Sequence, residues 1–279
     1  MNVRRLRLAI IVTAMVLATA PLRHADAAPA RTACGAPDDL AGSVAFLPKV
    51  AEAAVPGGHL RVLAVGSATM FGPEASLSPG TLASQALSNS TTPSVPPTQP
   101  IEQASDKSFP RQMAKALQDA VPKLDVQVVV RGGRGMSATD MLAQLKKELD
   151  ASRYQLVLWQ TGTVEAVRNT PPGEFAQVLS SGAEAVEAAG ANLVLIDPQY
   201  SRFLQTNSNL DPYTQALQQT ASMPGTLLFR RFDLMRNWAN DGQIDLERTP
   251  KNDRRRVGEL LHACLGSQLA RLILAGTRP

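Results

Sequence analysis

Apolar residues fall along this chain in two rhythms. Short, mostly apolar runs at 60–65 ("LRVLAV"), 125–130, 155–159, 192–196 and 226–229 read as strands. Between them, over 110–120, 138–150, 173–189 and 213–220, apolar positions recur every three or four residues, as amphipathic helices require. A last helix is predicted over 254–275. Strands that are apolar on both faces and alternate with helices are those of a parallel sheet covered on both sides. The pattern therefore predicts one α/β domain, an open parallel sheet between two helical layers. Within it, "VVVRGGRGMSATDML" reads as a strand, a glycine turn and a helix opened by Ser137 or Thr139.

One segment breaks the rhythm. Residues 75–108, with "SNSTTPSVPPTQP" near their centre, are too poor in apolar side chains to order themselves alone. They follow the first strand and should emerge at the carboxyl end of the sheet, where open α/β folds bind ligands. A tolerated insertion is expected, with a lid or a loop that docks a protein partner as the alternative.

The first 27 residues carry Arg4, Arg5 and Arg7, then an apolar run at 8–20, then Ala25-Asp26-Ala27. That order predicts a signal peptide over 1–27, a domain over 28–279 and a periplasmic or secreted product with no membrane span once the signal is cleaved. A retained anchor is the alternative. Cleavage leaves 24 basic against 23 acidic residues, so a formal +4 becomes +1. Arg254-Arg255-Arg256 is too short a cluster for a nucleic-acid footprint, and a solvated helix start explains it. In an oxidising compartment Cys34 and Cys264 are expected to pair, two buried thiols being the other possibility. Two cysteines with His59 and His262 are a poor zinc set, and "GGRG" lacks the lysine of a phosphate loop. No cofactor or metal is expected.

Four blocks follow one another along the chain: "GSATMFG", "GGRGMSATDML", "WQTGTVEAVRN" and "NDRRRVGELLHACLG", with "LVLIDPQY" as a further strand end. Together they resemble the SGNH/GDSL hydrolase family across nearly all of 28–279, and in particular its exported bacterial members. The resemblance implies a flavodoxin-like three-layer fold and acyl transfer by a serine. A base must deprotonate that serine, preorganised donors must hold the oxyanion, and a carboxylate must orient the base.

Carried over residue by residue, the family's nucleophile falls on Ala68, with Ser67 beside it. Gly135 matches the glycine donor, whereas Val164 stands for the asparagine and cannot donate. Asp253 takes the aspartate position and Arg256 that of the histidine, and arginine stays protonated. These replacements predict an eroded esterase site, a pseudoenzyme that binds an acylated or carbohydrate envelope ligand. The alternative is an active carboxylic-ester (carbohydrate O-acyl) hydrolase using Ser67 with His262 and Glu259. Against it, His262 lies on an apolar helical stripe, where a structural histidine is expected. His59 precedes the first strand and should lie at the far end of the sheet. Asp197 reads as a turn residue, and Trp159 and Trp238 as core rather than as sugar platforms.

Overall fold

The computed structural model describes residues 34–78, 81, 84–85, 92–95 and 97–278. The expected signal peptide and about a third of 75–108 lie outside the described residues. Among the described residues six strands form one sheet: β1 (His59–Gly66), β2 (Gln99–Pro100), β3 (Asp125–Arg134), β4 (Leu156–Gln160), β5 (Asn192–Ile196) and β6 (Thr226–Phe229). Their order is β2-β3-β1-β4-β5-β6. All pairs are parallel except β2 with β3, which is antiparallel through Gln99 opposite Arg134 and Pro100 opposite Gly133. The sheet is thus mixed rather than wholly parallel as expected; a two-residue strand ending in proline carries no periodic signal from which β2 could be read.

The helices are α1 (Pro48–Ala53), α2 (Pro73–Leu77), α3 (Phe109–Ala120), α4 (Ala138–Ala151), α5 (Thr163–Arg168), α6 (Pro172–Ala188), α7 (Arg202–Asn207), α8 (Asp211–Thr220), α9 (Arg231–Asn240) and α10 (Arg254–Ala275). Strand residues alternate between two cores. Leu60, Val62 and Ala64 pack with α1, α3, α9 and α10 on one face, and Leu63 and Val65 with α4, α6 and α8 on the other. Trp238 and Trp159 are fully buried, one in each core, so neither presents a face to a sugar. A Leu or Val side chain removed from water in this way contributes about 2 kcal/mol. The result is the expected three-layer α/β architecture.

Local chemistry fixes several element ends. Ser137 opens α4, accepting from the Asp140 N–H at 3.2 Å while Asp140 accepts from the Ser137 N–H at 2.9 Å. Such a reciprocal cap is worth about 1 kcal/mol. Gly132, with φ at 127°, sits where β1 and β3 end side by side; a Cβ there would lie 1.9 Å from the Gly66 carbonyl oxygen. Cys34 is disulfide-bonded to Cys264 on α10, closing a sequence separation of 230. Among the described residues, no helix is long and apolar enough to cross a membrane.

Candidate active site

The chain leaves β1 into a short 3-10 turn, Ala68–Met70, and enters α2 through Gly72, whose φ of 130° an L side chain rarely adopts. Proline at 73 starts α2, since its missing N–H is unneeded in a first turn. This brief helix buries Ser76 against α10. The Ser76 hydroxyl donates to the Gly72 carbonyl at 2.7 Å, and its Oγ lies 3.5 Å from His262 Nε2.

His262 is itself buried, and its Nδ1 accepts the Phe109 backbone N–H at 3.1 Å. An amide N–H is only a donor, so Nδ1 holds the lone pair and Nε2 carries the ring proton. The proton order therefore runs from Phe109 N–H to Nδ1, from Nε2–H to Ser76, and from Ser76 O–H to Gly72. Burial, reinforced by the nearby Arg231 guanidinium, pushes the imidazole down to about 3, so it is neutral at any ordinary pH.

This pair overturns the expectation of an eroded site. A serine hydroxyl and a histidine are brought together within the fold: the histidine is the His262 of the alternative reading, inside the fourth block, whereas Ser76 lies outside all four blocks. Arg256 is exposed, and its nearest acid is Asp253 at 3.9 Å. "Pseudoenzyme" does not describe an arrangement that keeps a buried hydroxyl–imidazole pair.

The alternative set changes as well. Ser67 is held elsewhere: its Oγ accepts from Gln160 Nε2 at 2.8 Å and lies 3.3 Å from Thr69 Oγ1. Thr69 donates to Gln160 Oε1 at 2.6 Å and accepts from Arg231 Nη1 at 3.1 Å. Glu259 does not orient the imidazole. It pairs with Lys107 at 2.6 Å and Arg255 at 3.3 Å, and the Lys107 contact holds its carboxyl below the usual range.

Two cavities meet at Ser76. One is lined by Ser67, Ala68, Gly135, Val164 and Gln199, among others, so four of the residues read from the blocks come together there. Ser76, Thr69 and Gln199 also line the other, which holds His262, Arg231 and mostly apolar side chains. Asp253 and Arg256 line neither. Behind Val164, the buried Glu165 accepts from the N–H groups of Ala138 (2.5 Å) and Gly162 (3.0 Å), tying α4 to α5. Burial raises its pKa.

Asp197 follows β5, is fully buried and accepts the Phe232 N–H at 2.9 Å, capping α9; burial lifts it to about 7. His59 is exposed beside Asp125 at the opposite end of the sheet. Among the described residues, no group of three or more His, Cys, Asp or Glu could hold a metal ion.

Sequence reasoning missed Ser76 and Arg231. Ser76 had a faint signal, since glycine followed by proline marks a helix start. Arg231 had none, because in "FRRFD" nothing separates it from Arg230.

Comparison with known proteins agrees with this architecture. Among solved structures, the chain is similar to a two-domain esterase active on acetylated mannans, with 11% identity and a TM-score of 0.51, covering 79% of this chain and 50% of that one. It is also similar to a variant of an acetyl-xylooligosaccharide esterase from Geobacillus stearothermophilus, with 15% identity and a TM-score of 0.50, covering 81% and 96%. At such identities the likeness shows the fold. No curated protein matches. A model of the non-GDSL lipase-like family matches residues 33–279. The chain belongs to that family, and with it to the broad SGNH/GDSL-like superfamily of esterases and lipases.

Proposed function

We propose that the protein is an active carboxylic-ester hydrolase with Ser76 as nucleophile and His262 as its base. The observation that carries this reading is the buried Ser76–His262 hydrogen bond in a cavity lined mainly by apolar side chains. Family membership supports ester chemistry. The cavity is about 60 Å³, room for roughly four to six waters, which suits a short acyl group. The substrate is then a short-chain ester, with a carbohydrate O-acyl group as one such source. Export by the segment at 1–27 would place the reaction in the cell envelope or outside the cell.

For attack, Nε2 must receive the serine proton, so the lone pair has to move from Nδ1 to Nε2. The Phe109 N–H opposes that tautomer, because it needs an acceptor at Nδ1. Ser76 must also release the Gly72 carbonyl. Substrate binding therefore has to break two resting hydrogen bonds, and the low basicity of the buried imidazole slows the proton transfer further.

The test is labelling with a fluorophosphonate, followed by peptide mapping and by turnover of p-nitrophenyl butyrate. An adduct on Ser76, with turnover lost on the order of 10⁶-fold in Ser76→Ala, is the expected result. If Ser76 carries no adduct and Ser76→Ala hydrolyses the ester at the parent rate, the assignment is wrong.

A further inference from the structure

Arg231 is the first residue of α9, and it is 1% exposed. One of its nitrogens, Nη1, donates to Thr69. The other two, Nε and Nη2, are buried and have no hydrogen-bond partner among the described residues. These two form a single edge of the guanidinium plane, the edge that grips a carboxylate with two parallel N–H bonds. No carboxylate among the described residues lies within ion-pairing distance of it. Asp197 acts on it through space but spends its own Oδ1 on the Phe232 N–H.

An unpaired buried cation is among the costliest arrangements in a folded chain. A buried donor edge left open calls for a missing acceptor. Arg231 lines the cavity shared with Ser76, whose other walls include Pro73, Leu77, Phe109, Met235, Leu246 and Leu261. The site thus combines one fixed cation edge with a small, largely apolar chamber, and the one carboxylate in its lining, Glu247, is held by Ser201 and Arg202.

We infer that this cavity is a binding site for a short-chain monocarboxylate, its head group gripped by Arg231 Nε and Nη2 and its alkyl chain packed against the apolar wall. The inference does not need Ser76 to react. Such an acid could be the product of the proposed hydrolysis or a ligand taken from the surroundings.

The test compares butyrate with 1-butanol, which has the same chain and no charge. Their effects on the melting temperature of the full chain are measured at fixed ionic strength, with sodium chloride as the control salt. Butyrate should stabilise the protein in a saturable way, and butanol should not. Arg231→Met should weaken butyrate about tenfold or more. Leu246→Trp, on a turn at the cavity wall, should do so by filling the chamber while leaving the guanidinium in place. Equal responses to butyrate and butanol in the parent chain would overturn the inference even if Arg231→Met failed to fold, as would unaltered butyrate binding in both variants.

Ser76→Ala separates this site from the hydrolase reading, since butyrate should still bind there. Competitive inhibition of ester turnover by butyrate would mark the acid as product. Binding without inhibition would mark it as an independent ligand, and either supports the site.

Discussion

Replacing Asp197 with asparagine should change how stability varies with pH. In the folded chain burial lifts this carboxyl from 3.8 to about 7. Between those values the folded protein keeps a proton that the unfolded chain has released. The contribution of Asp197 is therefore complete below pH 3.8, falls as the pH rises, and is gone above about 7. About three units at 1.36 kcal/mol each amount to about 4 kcal/mol.

His262 works in the opposite sense. Its folded value is depressed from 6.5 to about 3, so its contribution is present above pH 6.5 and is lost as the pH falls towards 3. From pH 4 to 6.5 the two slopes oppose each other, leaving the parent chain nearly flat on their account. In Asp197→Asn the side chain cannot titrate yet still accepts the Phe232 N–H. Of the two slopes only that of His262 is left, so stability relative to the parent should climb by about 1.4 kcal/mol per pH unit over that window. Urea unfolding of both chains at half-unit steps gives the difference directly. Parallel curves would show that Asp197 is ionised in the fold and that the burial argument fails.

Two further perturbations test the scaffold. Replacing both cysteines, Cys34→Ser with Cys264→Ser, removes a closure of 230 residues and should lower unfolding stability by about 5 kcal/mol in the chain-entropy account. Urea melts of the oxidised parent and the double variant measure this, and a loss below about 1 kcal/mol would contradict it. Glu165→Ala strands the buried N–H groups of Ala138 and Gly162 and should cost about 2–4 kcal/mol, while Glu165→Gln, which keeps an acceptor, should recover part of that loss in the same assay.

The layered fold was legible because its strands bury both faces, so that runs such as 193–196 and 227–229 had to be apolar throughout. Ser137 was legible as one of two possible caps, and the extent of α10 came from its apolar stripe. The site was harder to read. His262 sits on that stripe, so its burial could be foreseen, but its partner could not, because Ser76 lies 186 residues away in a segment that composition marks as low in complexity. Block alignment compares positions along the chain. Here the imidazole comes from the middle of α10, inside the fourth block, but the hydroxyl comes from α2, which no block describes. Arg231 was hidden for a different reason: its neighbour Arg230 is about 40% exposed, and only the packing of α9 under Thr69 separates the two.

The two residues of β2 also bear on whether copies of this chain can polymerise. A strand at the margin of a sheet offers its backbone to any passing chain, and β3 would be such a margin along its whole length. At its carboxyl end, beside the cavities, Gln99 and Pro100 already occupy Gly133 and Arg134, and proline has no N–H to hand on to a newcomer. Further back, β3 places Asp125, Gln127 and Arg131 along the same margin, where polar and charged side chains resist intermolecular pairing. Concentrated solutions should therefore show no growth by strand addition along this side of the sheet.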